Sequence, residues 1–289
     1  MLHSILTFIR DKAILLMALL LTLASCHKEA KLTPSPPSIP YQIPQGNQPY
    51  DQEILAFYNT WQTYILYKFD SIDFQYTFTA PSYYGYNAIP ADTNYVQAAL
   101  DFLHANWLDL YPASFLHKTM PFKILLASHV GTPTGSAPLN DTFYNRSTSS
   151  LAGGNSITFG EVNSALPLKT GPQIKTARNA LQFAYWQQAV QNNMIPSPTG
   201  FNVLTNYATL NGSNYQQNGV LPQNGRPNPV TDLLNYIHLI TSTDSVTIVN
   251  TWFTPAIDIN GMYAQKYNLI TSYYLNTYGI DLQAIGNMP

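Results

Sequence analysis

The stretch QIKTARNALQFAYWQQAVQNN, residues 173–193, repeats its apolar side chains at helical spacing. Ile174, Ala177, Leu181, Ala184 and Tyr185 fall on one face. A helix with one apolar stripe must bury that stripe against another layer, so this segment sets the architecture around it. Other segments carry the same period. PYDQEILAFYNTWQTYILYKFD opens on Asp51 as the expected N-cap, with Ile54, Tyr58, Trp61 and Ile65 as its stripe. DTNYVQAALDFLHANWLDLY, capped by Asp92 or Thr93, turns Val96, Leu100, Leu103 and Trp107 inward. NPVTDLLNYIHLI pairs Asn228 as N-cap with Pro229 at the first helical position and buries Leu233, Ile237 and Ile240. A last helix is expected from about Asn260 to Tyr278, stopped by Gly279.

Strand signals are fewer. PFKILLASHV is a short apolar run bounded by Pro121 and Gly131, and NSITFGEV, 155–162, is a second candidate. The aromatic, Pro-marked stretch up to Pro90, residues 131–155, and the polar run from Ile195 to Arg226 read as loops. There is no internal repeat. Helices, then a small sheet, then more helices predict an α+β fold in which helix dominates.

The N-terminus is set apart. Arg10 and Lys12 precede an apolar run, Ala13 to Ala24, and LASC at 23–26 follows. This is the pattern of a signal peptide, and the run is too short to span a bilayer comfortably. LASC resembles the lipobox of bacterial lipoproteins, in which the cysteine is lipidated. Cys26, the single cysteine, is then the membrane anchor, and no intrachain disulfide can form. Pro34, Pro36, Pro37, Pro40 and Pro44 make an extended tether. The expected organisation is a leader at 1–25, a tether at 26–48 and one folded domain at 49–289. Only 10 % of residues are charged, against roughly 25 % in an average soluble protein. A neutral, Tyr- and amide-rich surface suits an exported protein near sugars, peptides or envelope proteins. With no basic stripe, nucleic acid is excluded as a partner.

Zinc hydrolysis needs three protein ligands and an open position, most simply as HExxH on a helix. No two of His27, His104, His117, His129 and His238 are four apart, and Glu53 and Glu161 are the only glutamates of the folded part. There is no GxSxG elbow and no Gly-rich phosphate loop. A triad through His104 or His238, or a carboxylate pair through Glu161, has no motif behind it. Ordinary roles are expected for the histidines: His104 partly exposed on its helix, His117 beside Lys118 in a loop, His129 capping a strand end. His238 shares a helix face with Asp232 and Asn235 and is expected in a polar contact between helices.

ILYKFDSIDF, FLHANWLDLYPASFLHKTMPFKILLAS and KYNLITSYYLNTYGIDLQAI resemble segments of the zinc-binding metallopeptidase lipoproteins of Bacteroidetes. These are also called substrate import-associated zinc metallohydrolase lipoproteins, and are associated with SusC/SusD-type nutrient uptake. The resemblance runs from about residue 50 to the end and includes the lipobox. It implies a zincin-like domain in the outer membrane's cell envelope. The family carries HExxH on its middle helix; the matching stretch here is LQFAY, 181–185, which puts Leu181 and Tyr185 in place of the histidines and Gln182 in place of the glutamate. Asp232 and Asn235 match its downstream acidic helix start. The resemblance therefore implies a degenerate site with no catalytic residue and no bound metal. It also leaves a cleft lined by Gln182, Tyr185, Trp186 and His238 that could hold a peptide or glycan. The alternative is an active zinc metallohydrolase with other ligands, drawn from His238, Asp232, His129 and Glu161.

Overall fold

The computed structural model describes residues 41–70, 73–74, 87–131, 143–145 and 156–289. The leader, Cys26 and the tether through residue 40 lie outside the described residues. Gln42–Pro289 form one compact unit, which takes in part of the stretch expected as tether. Gln45 donates to the Lys68 carbonyl at 2.6 Å, and its side-chain oxygen accepts from the backbone N–H of Tyr67 at 2.9 Å.

Helix α1, Pro49–Trp61, starts three residues earlier than expected. Gln48 is its N-cap and Asp51 sits at the third helical position, accepting from the Gln48 backbone N–H at 2.8 Å. Asp51 is fully buried and also accepts from the Tyr67 hydroxyl at 2.8 Å. The helix stops at Gln62, which takes the left-handed conformation, so Ile65 belongs to strand β1, Tyr64–Leu66, and not to the helical stripe.

Strand β3, Lys123–Gly131, is the apolar run expected as a strand and forms the middle of the sheet. It pairs in parallel with β1 and with β5, Ser156–Phe159, and antiparallel with β2, Asn87–Pro90. Strand β4, Phe143–Asn145, closes the other edge antiparallel to β5. Both β2 and β4 fall in stretches read as loop. Neither carries an alternating apolar run, so their pairing partner determines them rather than their own pattern.

Asp92 caps a 3-10 turn, accepting from the Asn94 N–H, and the turn leads into α2, Val96–Asn106. Helix α3, Ala113–Thr119, carries His117, which is therefore helical, with its ring 4.7 Å from that of Trp61. Helix α4, Gly171–Gln191, is capped by a reciprocal Thr170–Gln173 box. After a long excursion come α5, Pro229–Ser242, α6, Ser245–Trp252, α7, Met262–Tyr278, and α8, Leu282–Asn287. Asn228 caps α5 through the N–H groups of Val230 and Thr231, and Gly279 ends α7 with φ 72°, both as expected. Helix α4 packs on α5 and on strands β4 and β5. Helices predominate over a small sheet, the α+β class. No helix among the described residues is long and apolar enough to cross a membrane.

Candidate functional site

The inward face of α4 is where the sequence places the question of catalysis. Leu181, Gln182 and Tyr185 are each 0 % exposed and Trp186 is 1 % exposed. The Tyr185 ring lies 5.0 Å from Trp107 and 5.2 Å from Tyr111, with its hydroxyl bonded to Thr119 of α3. Trp186 packs on Phe115 at 5.5 Å and on Tyr274 of α7 at 4.9 Å. Aromatic pairs at these separations add to the burial of their apolar area. The expected ligand cleft is thus contradicted for three of its four residues: Gln182, Tyr185 and Trp186 are enclosed core.

Gln182 uses both halves of its amide. Its nitrogen donates to the Asn106 carbonyl at 2.8 Å, and its oxygen accepts from the Tyr111 hydroxyl. Trp186 donates its indole N–H to the same hydroxyl at 2.8 Å. The contact is specific to an amide, because one atom must donate and the other accept. A carboxylate there would set an oxygen against the Asn106 carbonyl. Burial holds the phenols of Tyr111 and Tyr185 well above their ordinary pKa, so both stay protonated.

These residues do not fit zinc. Leu181 has no donor atom, Gln182 offers a neutral amide already committed on both sides, and Tyr185 is a protonated phenol.

The downstream positions are also engaged. Asp232, fully buried on α5, meets the ammonium of Lys266 on α7 at 2.6 Å; Lys266 is equally buried. The same carboxylate oxygen accepts from the Tyr207 hydroxyl at 2.8 Å. Burial pushes the Asp232 carboxyl up and the Lys266 ammonium down from their ordinary pKa values, while the attraction between them opposes both shifts. Asn235 donates to Gln223 at 3.0 Å. His238 packs its half-buried ring 4.8 Å from Phe183, and its buried Nδ1 has no hydrogen-bond partner among the described residues. The expected polar contact between helices is an aromatic one here, and desolvation lowers the pKa of the imidazole.

The ligand set of the alternative reading does not come together. His129 lies within β3 opposite Ile89 rather than capping a strand end. Glu161 pairs with Lys169 at 2.5 Å. No group of three or more His, Cys, Asp or Glu able to hold a metal occurs among the described residues. His104, partly exposed as expected, reaches Asp109 at 3.2 Å and Glu53 at 3.7 Å.

Sequence reasoning missed Asn106, Tyr111 and Thr119, which close over α4, because their roles depend on contacts far along the chain. Lys266 was within reach. It stands at helical spacing with the buried Tyr263, Ile270 and Tyr274, on a stripe where a charge needs a partner.

No protein-family model matches the sequence, and no curated protein matches it. In fold, the chain is similar to a crystal structure of a protein described as "a putative zinc-binding metallo-peptidase" from Bacteroides caccae. The TM-score is 0.54 at 14 % identity, covering 83 % of this chain and 89 % of that one. At this identity the likeness concerns fold alone.

Proposed function

We propose that this chain is a cell-envelope lipoprotein with a zincin-like fold and no zinc catalysis, acting as an accessory binding or scaffold protein in outer-membrane nutrient uptake. The observation that carries the reading is the inward face of α4. Where the family resemblance aligns LQFAY with HExxH, it presents leucine, a doubly bonded amide and a protonated phenol in place of imidazoles and a general base. The LASC pattern supports anchoring through Cys26, and the charge-poor composition supports an exported location. SusC/SusD-type uptake proteins are the proposed partners. A peptide or glycan ligand would bind away from Gln182, Tyr185 and Trp186, which are enclosed.

The test is hydrolysis of a mixed peptide library by residues 42–289, with and without added zinc. The expected result is no cleavage above a heat-denatured control. Cleavage abolished by a chelator and restored by zinc would overturn the reading.

A further inference from the structure

Among the described residues, the Asp232–Lys266 pair stands out because nothing in its surroundings is solvent-like. Both side chains are 0 % exposed. The Lys266 ammonium donates to Asp232 at 2.6 Å and to the Gly219 carbonyl at 3.1 Å. It lies 5.8 Å from the centre of the Phe201 ring and 5.6 Å from that of Tyr236. The Tyr236 hydroxyl donates to the same Gly219 carbonyl at 2.6 Å, and Tyr263 donates to the Val220 carbonyl at 3.0 Å. Gly219 has φ 57°, and a Cβ there would come within 2.8 Å of Met262, so only glycine brings this carbonyl to the ammonium. The second carboxylate oxygen of Asp232 is buried with no partner among the described residues.

We infer that Asp232, the Gly219 carbonyl and the faces of Phe201 and Tyr236 form an internal cation site whose occupant is the chain's own Lys266 ammonium. A carboxylate, a carbonyl and aromatic faces together are the chemistry that recognises an alkylammonium ion. The site joins three parts of the fold: α5 through Asp232, α7 through Lys266, and the excursion 192–228 through Phe201, Tyr207 and Gly219. It adds a polar tie to an excursion of 3-10 turns that also buries Ile195, Leu210, Val220 and Leu221. Asp232 is also the position that the metallopeptidase resemblance assigns to a metal-side acid. With Lys266 in place, its positive partner is already built into the chain. The inference rests on these contacts and stands whether or not the proposed function does.

In the inferred site the pair is an ion pair: one Asp232 oxygen faces both Lys266 and the Tyr207 hydroxyl, and the Lys266 nitrogen faces that oxygen and the Gly219 carbonyl.

The experiment uses residues 42–289 and follows urea unfolding together with proteolysis within 195–226. Lys266→Met and Asp232→Asn should each lower the folded-to-unfolded ratio on the order of a hundredfold or more, because each leaves one polar partner buried alone. The double variant Asp232→Leu, Lys266→Met should recover most of the loss. Lys266→Ala supplies the test of a cation site: n-propylammonium, which matches the deleted atoms, should raise its unfolding midpoint and slow cleavage, and tetramethylammonium should not. If Lys266→Ala does not fold, the wild-type protein still decides, since a slowly exchanging Lys266 ammonium should be visible by nitrogen-15 NMR. Single variants as stable as wild type, no response to n-propylammonium, or a neutral amine signal for Lys266 would each overturn the inference.

Discussion

At the scale of single residues, the structure turns on side chains whose hydrogen-bonding type matters more than their size. Gln182 is the clearest. Replacing it with glutamate changes few atoms but removes the donor to Asn106 and buries a carboxylate. Gln182→Glu should cost about 3 kcal/mol or more in urea unfolding, and a variant as stable as wild type would contradict the amide assignment. Leu181, enclosed on the same face, should lose about 2–5 kcal/mol as Leu181→Ala through the cavity left behind. His238 gives a pH signature. Desolvation holds its folded pKa below the ordinary 6.5, so on acidification the unfolded chain takes up the proton first. Its contribution is therefore fully present above about pH 6.5 and is lost as pH falls toward the folded value. Denaturant midpoints measured between pH 7 and pH 5 should fall in wild type and fall less in His238→Leu; equal slopes would show that another group titrates.

At the scale of elements, legibility followed the source of each element's order. Helices α2, α4, α5 and α7 carry their own stripe and punctuation, so Val96, Leu181, Ile237 and Gly279 could be placed from spacing and capping alone. Strand β3 was legible because its apolar run is continuous. Strands β2 and β4 were not, since both exist through pairing with β3 and β5. Asp51 shows a subtler failure. An acid near a helix start was read as the N-cap, but the backbone turns in at Gln48, and Asp51 answers it from the third position while also holding Tyr67. The Asn228 cap of α5, by contrast, was legible. Asn228→Ala should cost about 1 kcal/mol, measured by urea unfolding; no loss would mean that Thr231 and the Pro229 turn suffice.

At the scale of the whole molecule, spacing put Leu181, Gln182 and Tyr185 on one helix face without showing what covers it. The face that carries LQFAY lies enclosed among Trp107, Tyr111 and Thr119. The cleft expected from Gln182, Tyr185 and Trp186 was not found, because helical periodicity shows that residues share a face without showing what covers it. The covering residues come from α2, α3 and the turn between them, and the cation partner of Asp232 comes from α7, all distant in sequence. The same enclosure bears on engineering. Introducing Leu181→His, Gln182→Glu and Tyr185→His together would place several polar groups in a closed aromatic core, and the triple variant should unfold more readily than wild type rather than gain activity.

A count of bound zinc decides whether this chain holds a metal. Residues 42–289 would be incubated with excess zinc, passed through desalting and examined by native mass spectrometry beside a known zinc peptidase. The chain should emerge without zinc while the control retains one ion. One zinc per chain, lost on substitution of Asp232 or His238, would overturn the proposed absence of zinc catalysis and place a metal centre beside Asp232, where the structure shows the Lys266 ammonium.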